Sequence, residues 1–154
     1  MSKTHLSMAA VLVVGILSGA VLAQSSDPLI GTWKLNAAKS TGVKSGTTKI
    51  EAVGDGVKFT ADLVLADETP RHTEFSGKFD GKDNPITGNS PYGNTVAFKR
   101  VDAKTISQTY KQDGTVTAIL TIVLSDDGKT RTTTAKGKNA KGQPVATVSF
   151  YEKQ

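Results

Sequence analysis

The sequence predicts an all-β protein, an antiparallel up-and-down β-barrel of eight to ten strands. Three observations carry this. Turn signals recur about every eleven residues from Gly46 onward. The runs between them alternate apolar and polar residues and are rich in Thr, Val and Ile, which pack well on a pleated surface. Helical spacing is nearly absent. Evenly spaced short strands with such turns indicate a sandwich or a barrel, and an even meander favours a barrel, because closure removes exposed sheet edges.

The first 23 residues read as a separate object. Lys3 and His5 form a short basic start, and an apolar run extends from Met8 through Val21. Val21-Leu22-Ala23 then places small or compact residues where a signal peptidase cuts. The pattern predicts a secretory signal peptide over 1–23, cleaved after Ala23, rather than a membrane anchor. The run is at or below the span length of about 17–20 residues. No Cys follows it, so a lipidated Cys is excluded. The expected product is exported, to the periplasm or beyond the cell, and its only membrane association is through the signal.

The remaining segment, 24–154, suits one domain and is long enough to bury a core without staples. The whole chain carries +5; its first 23 residues contribute one Lys and no acid, leaving +4. The lysines are scattered, with no basic run interleaved with aromatics, so nucleic-acid binding is not expected. With no Cys anywhere, thiolate chemistry and Cys-ligated metals are excluded. No cofactor is expected, and nothing in the sequence sets an oligomeric state.

Strands are expected at roughly 30–36, 46–52, 57–65, 71–79, 83–87, 94–101, 104–111, 115–125, 129–136 and 144–152, nine or ten in all. The first is Ile30-Gly31-Thr32-Trp33-Lys34-Leu35. The segment after it is short and Gly-rich, with room for one helical turn around Ala37 to Ser40. In the third, Val57, Phe59, Ala61, Leu63 and Leu65 share a face opposite Lys58, Thr60 and Asp62. In the eighth, Val116, Ala118, Leu120, Ile122 and Leu124 face away from Thr115, Thr117 and Thr121. Val96 and Phe98 share a face, as do Ile106 and Tyr110. Such alternation marks half-buried strands. The fifth segment has the weakest pattern. Asp-Gly pairs at Asp55, Asp80, Asp113 and Asp127 supply the positive φ that tight hairpins need. The last strand is ambiguous: Val148 and Phe150 share one face, Thr147, Ser149 and Tyr151 the other. A one-residue slip reverses which set points inward.

Ile30 to Leu35 is similar to the opening of the fatty-acid-binding proteins, and its Gly-x-Trp core is shared with lipocalins. Tyr151-Glu152-Lys153 also resembles the last strand of the fatty-acid-binding proteins. The longer pattern Gly31 to Ser40, with Phe79 to Asp83 and Pro85 to Asn89, resembles a group of exported bacterial lipocalin-like proteins of the calycin type. The resemblance implies a barrel and a cavity for a small apolar or amphipathic ligand, bound without catalysis. It also turns Ser149 and Tyr151 inward, whereas plain hydrophobicity turns Phe150 inward. There are departures. Fatty-acid-binding proteins place Arg two residues before that terminal Tyr, where it holds the lipid carboxylate; the matching residue here is Ser149. Their helical lid does not fit in the short segment after the first strand.

Candidate ligand-binding residues are Phe59, Phe75, Phe98, Tyr110 and Tyr151, on inward faces. Gly31 and Trp33 are expected to be structural, with Trp33 plugging one barrel end; a role as ligand wall is the competing reading. Arg100, Arg131 and Lys153 are candidates to pack over it. Gly88 to Asn94 is the least regular loop, either a binding mouth with Tyr92 as its contact residue or merely a long connection.

His72 is the only His after the signal, so any Ser-His-Asp triad must use it. An enzyme built on His72, Arg71 and Glu74 is one alternative to the carrier; a packed-barrel interaction or structural protein of the cell envelope is another. There is no Gly-x-Ser-x-Gly nucleophile turn. Most acids lie in turns, and Asp126-Asp127-Gly128 lacks the spaced ligands of a calcium loop, so no metal is expected.

Overall fold

The computed structural model describes residues 27–154. The expected signal peptide, 1–23, lies outside the described residues. Eleven antiparallel strands form one sheet: β1 (Gly31–Leu35), β2 (Val43–Val53), β3 (Gly56–Leu65), β4 (Pro70–Gly77), β5 (Asp80–Pro85), β6 (Thr87–Gly88), β7 (Thr95–Arg100), β8 (Thr105–Gln112), β9 (Thr115–Leu124), β10 (Thr130–Lys138) and β11 (Pro144–Lys153). The sheet curls into a nearly closed up-and-down barrel. Among the described residues the one helical element is a 3₁₀ turn, Ala37–Lys39.

First and last strands pair, with Trp33 opposite Lys153 and Leu35 opposite Tyr151. The sheet order runs β5-β7-β8-β9-β10-β11-β1-β2-β3-β4-β6, so its two ends are consecutive in sequence. A seam therefore lies between β4 and the β5–β7 pair. Side chains rather than a ladder bridge it. A Cβ on Gly77 would stand 2.4 Å from Asn84 Nδ2, and that amide donates to Val96 O at 3.3 Å.

The strand count exceeds the expected eight to ten because the fifth segment is two strands. Pro85 ends β5 beside Thr95, and after Ile86 the chain reappears as β6, with Thr87 opposite Glu74. Proline has no N–H for a continuing ladder. Gly88 (φ +89) then seats against β4, where a Cβ would meet His72 O at 2.2 Å. This stretch crosses the seam from one side to the other.

Val116 also departs from expectation. Its register breaks between the pairs Tyr110–Ala118 and Lys111–Val116, leaving Thr117 as the extra residue of a bulge. The bulge takes Val116 off the apolar face, and it is 53% exposed. The Thr117 hydroxyl is spent on the Tyr92 and Tyr110 carbonyls. Asp113 (φ 50) and Gly114 (φ 82) adopt the positive φ expected of the hairpin turn.

The last strand turns Ser149 and Tyr151 inward and Phe150 outward. Tyr151 is opposite both Leu35 and Arg131, which point into the barrel. Phe150 is shielded on the outside by the Lys39 ammonium, 4.5 Å from its ring. Hydrophobicity alone gives the wrong face here, because neighbours on both sides fix the register.

Candidate functional site

The barrel has a closed end and an open one. Residues 27–30 cross the closed end. Leu29 is fully buried there, and its carbonyl accepts the Trp33 indole N–H at 2.9 Å. Trp33 is 0% exposed and plugs the floor. Gly31 (φ +145) makes room for Lys153, whose Cε would lie 2.6 Å from an added Cβ. The Lys153 ammonium reaches 5.1 Å from the Trp33 ring and donates to Pro28 O at 2.8 Å. Of the three cations expected near Trp33, Lys153 and Arg131 cover it. Arg100 instead pairs with Asp27 and covers Phe79 at 4.6 Å.

Above the floor lies a cavity of about 300 Å³. Phe59, Ala61, Leu63, Leu65 and Phe75 give it an apolar wall along β3 and β4. Gln108, Thr133, Thr147 and Ser149 give it a polar one. Around its mouth stand Thr41, Gly42, Arg71, Asn139 and the Ser90-Pro91-Tyr92 segment. The 88–94 loop is thus part of the cavity wall, and Tyr92 packs edge-on to Tyr110 at 5.3 Å.

Four of the five expected ligand residues, Phe59, Phe75, Tyr110 and Tyr151, line this cavity. Phe98 is behind them, fully buried, with its ring 5.6 Å from Phe59 and 5.5 Å from Phe75. Phe59 and Phe75 are directly opposite in register and stack at 5.2 Å. Each such pair contributes about 0.5–1.5 kcal/mol beyond area burial. The three rings fill the barrel toward the seam and confine the cavity to the other side.

Arg131 is the residue sequence reasoning undervalued. It is 3% exposed and lines the cavity. Its guanidinium lies 4.0 Å over the Tyr151 ring and 5.4 Å over Trp33. Nη1 donates to Thr133 Oγ1 at 3.0 Å, whereas Nε has no protein partner. No carboxylate pairs with it among the described residues. Gln108, also 3% exposed, is similar: its Nε2 is unpaired. Its Oε1 takes only a long 3.4 Å contact from the Tyr110 hydroxyl.

Burial lowers the Arg131 guanidinium to about 10, against the pull of Tyr151 and Tyr110. It is still protonated at neutral pH. Burial pushes the Tyr110 phenol far above its usual range, and burial likewise raises Tyr92. These phenols are neutral hydrogen-bond donors at neutral pH. Desolvating an unpaired charge costs several kcal/mol; aromatic faces return about 2 kcal/mol. Arg71 brings a second guanidinium to the mouth, where partial burial lowers its pKa. Among the described residues no Asp or Glu lines the cavity.

His72 lies elsewhere, on the outer face of β4. Its Nδ1 is 2.6 Å from Asp62 Oδ1 at the exposed surface, away from the cavity lining.

No protein-family model matches the chain, and no curated protein is similar to it in sequence. The structure is a nearly closed antiparallel β-barrel, compatible with a calycin-like fold.

Proposed function

We propose that this protein is an exported lipocalin-like barrel that holds a small apolar or amphipathic molecule in its interior, without covalent chemistry. The observation that carries this reading is the cavity of about 300 Å³, apolar on one wall and polar on the other. A ligand gains about 25 cal/mol for each Å² of apolar surface it buries there, and a few fixed polar groups orient it. Export, to the periplasm or the medium, rests on the signal-peptide pattern of 1–23. The Gly-x-Trp opening supports the lipocalin-like assignment over a generic barrel.

The test is native mass spectrometry of the full chain expressed with its own leader and purified gently. A small molecule that leaves on denaturation, absent from controls, supports the carrier. A ligand-free mass that persists after incubation with mixed apolar compounds overturns it.

A second reading, an envelope interaction module, draws on the outer face of β9–β11. Ile119, Val123 and Val148 are exposed on nearby outward positions there. Cross-linking in intact cells, with and without Ile119→Ser and Val148→Ser, tests it.

A further inference from the structure

We propose that the cavity selects a compact organic monoanion, a carboxylic acid on a ring-sized apolar body, and that its carboxylate sits deep in the barrel against Arg131 and Gln108. This rests on the carrier reading and names the ligand class for it.

Three independent features point the same way. First, two buried side chains at the polar wall hold donors with no protein acceptor, Arg131 Nε and Gln108 Nε2. A buried donor is rarely left without a partner, and a carboxylate supplies lone pairs for donors of this kind. A carboxylate also completes a charge-assisted bond with the guanidinium. Second, the charge balance is one-sided. Arg131 and Arg71 line the cavity with no acid among the described residues. Arg71, at the mouth, draws an anion inward, and Arg131 receives it; electrostatic focusing in a low-dielectric cleft works this way. One buried guanidinium matches one negative charge. Third, the space is small. About 300 Å³ stands at the lower end of ligand pockets. The packed rings of Phe59 and Phe75 bound that space on one side and leave room for a ring-sized body rather than a long chain.

The orientation follows from the lining. Arg131 covers the floor residue Trp33, so the charged end points down. Leu63, Leu65 and Val145 lie along the remaining wall and accept the apolar body.

The experiment uses three probes with one body: 2-naphthoate, 2-naphthalenemethanol and 2-naphthylmethylamine. Each is titrated calorimetrically into the processed full-chain product, and decanoate is the elongated comparison. The expected result is that naphthoate binds about tenfold or more tighter than the alcohol, and the amine weakest. Arg131→Met should erase that preference while keeping the alcohol's affinity. Gln108→Leu should weaken naphthoate several-fold and leave the alcohol unchanged; it keeps the test usable if Arg131→Met does not fold.

Equal affinity for acid and alcohol overturns the anionic head and leaves the carrier standing. A preference that survives Arg131→Met but disappears in Arg71→Gln overturns the deep placement. Tighter binding of decanoate than of naphthoate overturns the compact body. Failure of every probe, with a ligand-free native mass, removes the carrier reading itself.

Discussion

The guanidinium of Arg131 lies 4.0 Å from the ring of Tyr151, directly across the ladder between β10 and β11. The pair stands between the Trp33 floor and the cavity, and it takes the place of an ion pair. Stacking orients the guanidinium but does not neutralise it. A buried, unpaired charge is costly, and replacing such groups by apolar ones of similar volume is often neutral or stabilising by about 1–4 kcal/mol. Arg131→Met should therefore raise the ligand-free stability, by roughly 1 kcal/mol or more. Urea unfolding measures this. A loss of stability would show that the stack on Trp33 and Tyr151 outweighs the desolvation.

Gly31 should not tolerate a side chain. Its φ of +145 is a backbone region that L-residues avoid, and Lys153 occupies the Cβ position. Gly31→Ala is expected to cost about 1–3 kcal/mol. Displacing Lys153 from the indole should also shift the emission of Trp33, the single Trp of the chain. Equilibrium unfolding followed by fluorescence reads both effects together.

Ala135 faces the cavity from β10. Ala135→Leu directs its extra methylenes toward the cavity, and its stability cost should not exceed about 1–3 kcal/mol. Its ligand affinity should fall by an order of magnitude or more. Calorimetry with the naphthoate probe checks this, and unchanged affinity would place the ligand outside the barrel.

Tyr110 and Tyr92 should stay un-ionised above the ordinary phenol range, because burial raises both. The sign is that of an acid whose folded pKa exceeds its unfolded value. The folded chain then binds more protons above about pH 10, so these two groups cost stability as pH rises through 10. Arg131, lowered by burial, acts oppositely over the range above its folded pKa of about 10. Phenolate absorbance separates the contributions, since Arg131 is silent there. In native protein, Tyr110→Phe should leave the absorbance rise below the unfolding pH unchanged.

His72→Ala should change stability by less than about 1 kcal/mol, because its contact with Asp62 is exposed. Ligand affinity should be unchanged, since His72 is on the outer face. Loss of a measurable turnover in this variant would instead revive the enzyme alternative.

Much of the fold was legible because the chemistry is local. The runs 57–65 and 115–125 alternate cleanly, and Asp-Gly pairs punctuate them; backbone geometry then leaves few options. Trp33 was legible as a plug only through the resemblance of Gly31-Thr32-Trp33 to the Gly-x-Trp opening of lipocalins. The floor contacts of Lys153 were only a candidate, since they join the two ends of the domain. Phe98 shows the limit for the site: an inward apolar residue either lines a cavity or packs behind it, and alternation cannot distinguish these.

Arg131 was legible only as a candidate partner for Trp33. Its strand reads Thr-Arg-Thr-Thr-Thr, polar on both parities, so no hydrophobic face signals which side is inside.

The all-β class, most strand positions and the inward faces of β3 and β9 were readable in the residue order alone. These follow from period-2 alternation and turn residues, which act over a few positions. The eleventh strand, the exposure of Val116, the inward turn of Ser149 and Tyr151, and the burial of Arg131 emerge only when the strands pair. Each depends on register against a distant strand, and a slip of one residue exchanges inside for outside.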